Sequence, residues 1–146
     1  MFVTQDVHIF ADTVLENVRL WNELVSREEV SAACGRVGAA SIIDRLPQGY
    51  DTIVGEGGIG LSLGERQLVS MARVLMRQPS LLILDEPSAH VDLRTEERIL
   101  GALESVFKER TIILIAHRLS APRNVERTIV LDKGRIVKPV NGSFGS

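Results

Sequence analysis

The sequence predicts an α/β fold, with a helical portion followed by part of a parallel-sheet core. Three observations carry this. Between about residues 12 and 79 the apolar residues recur mostly at helical spacing. From residue 81 onward they gather into short runs at 81–84, 111–116 and 128–131. Runs apolar on both faces suit parallel strands covered by helices. The 146 residues are one domain's worth of chain.

Each element has a local reason. Thr13 with Glu16, and Ser26 with Glu29, match the capping box, in which side chains at a helix start satisfy free N–H groups. Leu46-Pro47-Gln48-Gly49-Tyr50 reads as a turn. Residues 55–60 hold four glycines and read as a loop. Leu68, Met71, Ala72, Leu75 and Met76 then form a helical stripe, with Arg66, Arg73 and Arg77 expected on the opposite, polar side. Gln78 and Pro79 end that helix. Ile99, Leu100, Leu103, Val106 and Phe107 mark a further amphipathic helix. Asp132, Lys133 and Gly134 form a hairpin turn into residues 135–138. The expected organisation is one incomplete domain over 1–146. Its helical part covers about 11–79 and its α/β part about 80–138, and a Gly- and Ser-containing tail at 139–146 is expected to be loose.

Composition narrows the function. The chain is 45% hydrophobic and 25% charged, which excludes disorder and fibrous repeats. No stretch of ten residues lacks a charge, so no membrane-spanning helix is expected, and residues 1–8 do not read as a secretory signal. A net charge of −2 and few aromatic residues argue against nucleic acid as a partner. Cys34 is the one cysteine, so it forms no internal disulfide and fits a reducing cytoplasmic setting. Its neighbours Ala32, Ala33 and Gly35 favour packing over chemistry.

Three segments could carry chemistry. In Leu61-Ser62-Leu63-Gly64-Glu65-Arg66-Gln67 a glycine-rich loop delivers Ser62 to a helix N-terminus, which favours an anion such as phosphate. Ser62 and Glu65 also read as a plain capping box, and the segment alone does not choose. The run 81–84 ends in Asp85 and Glu86 at the carboxyl edge of a strand, where open α/β sheets bind ligands. One carboxylate could hold Mg²⁺ and the other act on an attacking water; the plain reading is the start of a solvated loop. His117, just beyond the run 111–116, could reach the same crevice or serve structure alone. His8 and His90 lack that placement.

Taken in order, these segments resemble the ATPase domain of ABC transporters, and within it the exporter type. Residues 61–67 resemble the ABC signature and residues 81–86 Walker B with its catalytic glutamate. Residues 88–92 are similar to the D-loop, and residues 3–6 to the Q-loop. Residues 10–20, 46–51 and 55–58 are exporter-like. The resemblance runs from about residue 3 to 138. It implies a partial P-loop NTPase fold. Glu86 would act on the attacking water, Asp85 and Gln5 would contact Mg²⁺, and His117 would contact the γ-phosphate. Ser62, Gly64 and Glu65 would bind ATP held by a partner subunit, and Asp92 would lie at the dimer interface. Implied partners are a second ATPase domain and a transmembrane transporter domain, at the cytoplasmic side of a membrane.

The P-loop, Gly-x-x-x-x-Gly-Lys-Ser/Thr, is missing. The three lysines, Lys108, Lys133 and Lys138, precede Glu, Gly and Pro. In the family the P-loop precedes the Q-loop. The chain therefore reads as the C-terminal part of an exporter ATPase, inactive alone, using ATP and Mg²⁺ only in the complete domain. The alternative is a non-catalytic interaction or dimerisation module. A sheet edge left open would favour self-association.

Overall fold

The computed structural model describes residues 2–3, 7–86, 97, 99, 101, 111–115 and 126–141. They fall into two units, divided between Ile115 and Ala116.

In the first unit, strands β1 (Phe2–Val3), β4 (Leu81–Asp85) and β5 (Thr111–Ile115) form a parallel sheet in the order β1-β4-β5. Leu82 and Leu84 of β4 are fully buried. On the other face Leu81, Ile113 and Ile115 are 39, 48 and 42% exposed. Burial on both faces is thus not what these strands show. The run of β-branched and leucine residues specifies strand, but their alternation puts only every second side chain in the core.

Helices dominate residues 12–79 as expected: α1 (Val14–Arg19), α2 (Arg27–Arg36), α3 (Ala40–Ile43) and α4 (Leu63–Arg77). A two-residue antiparallel pair, β2 (Asp12–Thr13) with β3 (Ile53–Val54), closes this region. Ser26 and Glu29 form the reciprocal capping box at α2. At α1 the box is only half made. Thr13 accepts from the Glu16 N–H at 3.1 Å, but the Glu16 carboxylate turns to Arg19 instead of the cap. The Thr13 N–H that the return bond would use donates instead to Asp12 Oδ1 at 2.7 Å, and the Glu16 carboxylate is engaged one turn along the helix. α4 packs on α1 and α2. Val14, Val18, Val30, Cys34, Leu68, Met71 and Ala72 form the centre of the core. Of the helix expected around residues 99–107, residues 97, 99 and 101 are described, and they are helical.

Arg73 departs from the expected polar face. It is 8% exposed, with its donors on Asn17 and the His8 carbonyl. Asn17 is fully buried beside it.

The second unit is a hairpin, β6 (Arg127–Asp132) with β7 (Arg135–Asn141). Lys133 and Gly134 both have positive φ, at 47° and 75°, which is the I′ turn geometry that matches strand twist. β7 runs through Asn141, so residues 139–141 are strand where a loose tail was expected.

Candidate functional site

α4 begins where the glycine-rich loop ends. Ser62 has the extended backbone of a helix cap, and its Oγ accepts from the Glu65 N–H at 3.3 Å. Glu65 returns the bond, accepting from the Ser62 N–H at 2.9 Å. The capping reading of Ser62 is therefore correct. It leaves the anion reading open on chemical grounds: the bond occupies a lone pair of Oγ, and the hydroxyl proton stays available to a phosphate oxygen. Ser62 is exposed and Gly64 is buried. Glu65 brings a carboxylate to the same helix end, with Arg45 at 4.0 Å.

A cleft of about 290 Å³ adjoins this end, lined by His8, Ile9, Gly55, Glu56, Leu61 and Arg66 among others. The Arg66 Nε and both amide atoms of Gln67 are buried with no hydrogen-bond partner among the described residues. Gln67 is only 2% exposed. Such orphaned groups are uncommon in folded chains and mark positions that a further polar group can complete.

The second set of residues lies at the carboxyl edge of the parallel sheet. Asp85 ends β4 in register with Ile115. Glu86 has a left-handed backbone, φ 46°, and its N–H donates to the Ile115 carbonyl at 2.9 Å. This bond to β5 ties down the backbone of Glu86 where the chain leaves the sheet edge. A positive φ in a non-glycine residue is a strained placement that clusters at functional sites. Both carboxylates are half-buried.

The structure therefore groups Ser62, Gly64 and Glu65 at the start of α4, and Asp85 with Glu86 at the end of β4. Gln5, Asp92 and His117 lie outside the described residues. Among the described residues no cluster of three or more His, Cys, Asp or Glu side chains could enclose a metal. Asp85 suits a hard cation that takes its other ligands from water and phosphate. The fit to ATP is partial: a capped helix end and a carboxylate pair are present, and the sequence has no P-loop lysine. Cys34 is buried in the core, and burial pushes its thiol up to about 12, away from the reactive thiolate form.

Comparison with known proteins decides the family. The ABC transporter family profile matches residues 1–89. The chain belongs to the ABC transporter family. It is 47% identical, over 95% of its length, to the uncharacterized ABC transporter ATP-binding protein YknV of Bacillus subtilis, covering 23% of that protein. It is also 47% identical to the probable multidrug resistance ABC transporter ATP-binding/permease protein YheH of the same organism, over 95% of this chain and 21% of the relative. A solved bacterial Atm1-family ABC exporter with ATP bound superimposes with a TM-score of 0.83 and 43% identity, over 97% of this chain and 24% of that one. The partial ABC ATPase fold expected from the motifs is the fold observed. The chain spans about a quarter of the length of these relatives. Among the described residues no helix is long and apolar enough to cross a membrane.

Two features were not foreseen from sequence, which placed Arg66 and Arg73 together on a polar helix face. Gln67 and Arg66 stand inside the signature segment, but their lack of partners is a tertiary fact. Arg73 sits in the otherwise apolar stretch from Met71 to Leu75, which was the available signal that it is buried.

Proposed function

We propose that this chain is the C-terminal part of the ATPase domain of an ABC exporter, where ATP binding and hydrolysis drive transport across a membrane, and that it is inactive alone. The observation that carries the reading is the pairing of two devices in one chain. An exposed serine caps a fifteen-residue helix, and a half-buried Asp-Glu pair sits at the carboxyl edge of a parallel sheet.

The chain's residues divide the work as follows. Ser62 donates its hydroxyl proton to a phosphate oxygen of the ATP held by the second ATPase domain, and the α4 N-terminus adds its partial positive charge. Gly64 leaves that helix end without a side chain. Glu65 fixes the Ser62 backbone. Asp85 contributes one ligand to Mg²⁺, and Gln5 a second contact. Bound Mg²⁺ supplies charge neutralisation on the transferring phosphoryl group. Glu86 orients and deprotonates the attacking water, held in place through Ile115. His117 donates to the γ-phosphate, and Asp92 faces the second ATPase domain. The remaining partner is a transmembrane domain, which places the complete protein at the cytoplasmic face of a membrane.

The test is a chimaera in which this chain replaces the matching segment of the YheH transporter. The chimaera should hydrolyse ATP, and Glu86→Gln should abolish turnover while leaving ATP binding intact. Isothermal titration of the chain alone with Mg-ATP should show no micromolar binding. Binding and Glu86-dependent turnover by the chain alone would overturn its dependence on the missing part. A chimaera whose activity ignores Glu86→Gln would overturn the site.

A further inference from the structure

Arg73 is a buried cation with no carboxylate partner among the described residues. Every acceptor it uses is neutral. Its Nε donates to the Asn17 carbonyl at 2.5 Å, its Nη2 to Asn17 Oδ1 at 2.7 Å and its Nη1 to the His8 carbonyl at 2.6 Å. The guanidinium also lies over the Phe10 ring, 5.3 Å from its centroid. Burying a charge this way is unfavourable, and a leucine or methionine at the same point of α4 would fill the space without that cost. Packing alone therefore does not account for the residue.

What Arg73 and Asn17 hold is backbone. Asn17 Oδ1 also accepts from the Phe10 N–H at 2.9 Å. Asn17 Nδ2 donates to the carbonyls of Phe10 at 3.0 Å, Thr13 at 2.9 Å and Asp12 at 3.3 Å. Only Asp12 and Thr13 of this stretch lie in a strand pair. The two side chains thus take the place of a sheet partner for residues 8–13 and fasten that stretch to α4. The same stretch follows Gln5 in the sequence, and the same helix presents Ser62.

We propose that Arg73 and Asn17 are positioning residues for ATP hydrolysis, fixing the chain that follows Gln5 to the helix that presents Ser62 so that both ends are aligned by one rigid unit. This rests on the ATPase reading of Ser62 and Gln5. In the chimaera a P-loop cradles the nucleotide's phosphates, and the tie between residues 8–13 and α4 does not touch it. Loosening the tie therefore leaves the KM for ATP in place and lowers kcat, because alignment is lost only where the transition state needs it.

Two substitutions test this in the chimaera and in the chain. Arg73→Lys keeps the charge and removes the three-way reach. Asn17→Leu keeps the volume while removing both the Oδ1 that accepts from Arg73 and from the Phe10 N–H and the donors to three carbonyls. Each should lower kcat tenfold or more with KM within twofold. In the chain, amide exchange at Phe10 should accelerate tenfold or more while Ala72, inside α4, keeps its rate. Unchanged kcat in both variants overturns the proposal, and so does a parallel change in kcat and KM with faster exchange along all of α4, which marks a merely structural role. If one variant fails to fold, the other decides. A wild-type chimaera without turnover overturns the ATPase reading and the catalytic half of this proposal with it. Exchange at Phe10 then decides the tie by itself, and an unchanged rate in both variants overturns it.

Discussion

Gly55→Ala should damage the domain more than any other single methyl added to the glycine-rich loop with comparable backbone geometry. Gly55 has φ +85°, and a Cβ built on it would lie 2.7 Å from the Phe10 carbonyl oxygen and 2.9 Å from its carbon. Gly57 has nearly the same φ, +77°, but open space around it. The left-handed backbone costs an alanine about 1–2 kcal/mol, offset by about 0.4–1 kcal/mol from the stiffer unfolded chain, so Gly57→Ala should lose about 1 kcal/mol. At Gly55 the collision is with backbone, which cannot rotate away, and it adds about 1–3 kcal/mol for a total of about 2–4. With a urea slope of about 2 kcal/mol/M the midpoint should fall by about 1–2 M, against about 0.5 M for Gly57→Ala. Gly35, exposed on α2 with no neighbour in reach, is the opposite control, and its alanine should gain about 0.5–1 kcal/mol. The assay is built in. Trp21 is the sole tryptophan, and its ring lies 5.0 Å from that of Phe10, so its fluorescence follows the stretch that Gly55 touches. Equal midpoints for Gly55→Ala and Gly57→Ala would refute the packing argument.

Ser62 has two roles that substitution can separate. Ser62→Ala should cost about 1 kcal/mol of stability through the lost cap and lower turnover of the chimaera at least tenfold. Ser62→Asp should restore the cap but not the turnover, because it removes the proton donor and repels phosphate; restored turnover would exclude the hydroxyl as the phosphate contact. Cys34 should make stability fall with alkali. Burial raises its thiol from 9.0 to about 12, so above pH 9 the unfolded chain sheds a proton that the folded chain keeps. Between pH 9 and 10 the Cys34 contribution to the slope should grow from about 0.7 to about 1.2 kcal/mol per pH unit, offset in part by Arg73, which burial lowers to about 10 and which acts with the opposite sign. Cys34→Ala should flatten it in urea titrations, and an unchanged slope would assign it elsewhere. The exposed Leu81, Ile113 and Ile115 face should drive self-association of the isolated chain. A clean monomer by light scattering at high concentration would contradict this.

What was legible in the sequence divides by the distance, along the chain, over which the controlling contact acts. The capping boxes at Ser26 and Ser62 join residues three apart, and the Lys133-Gly134 turn is set by its own two residues. Motif order and spacing placed the signature on a helix start and the Asp85-Glu86 pair at a strand end for the same reason: each is a local device. The box at Thr13 is half-formed because two other local devices take its groups: Asp12 accepts from the Thr13 N–H, and Arg19 pairs with the Glu16 carboxylate. Arg73 was misplaced for a different reason. Its acceptors Asn17 and His8 lie 56 and 65 residues earlier, and nothing in helical periodicity shows that a neutral backbone segment awaits an arginine there. The same holds for Gly55. Its composition reads as loop, as the structure shows, but its need for glycine arises from the Phe10 carbonyl, far away in sequence and brought alongside by the β2–β3 pairing. The misplaced Arg73 and the unforeseen constraint on Gly55 converge on residues 8–13, a stretch with almost no secondary structure of its own. Such a segment keeps one conformation only if side chains from elsewhere satisfy its backbone groups, and here Asn17 and Arg73 do so while Gly55 leaves room for it. Long-range polar support of an irregular segment is an unfavourable way to build a core. Its presence between the Gln5 end of the chain and the helix bearing Ser62 is therefore better explained by the alignment it enforces than by the stability it adds.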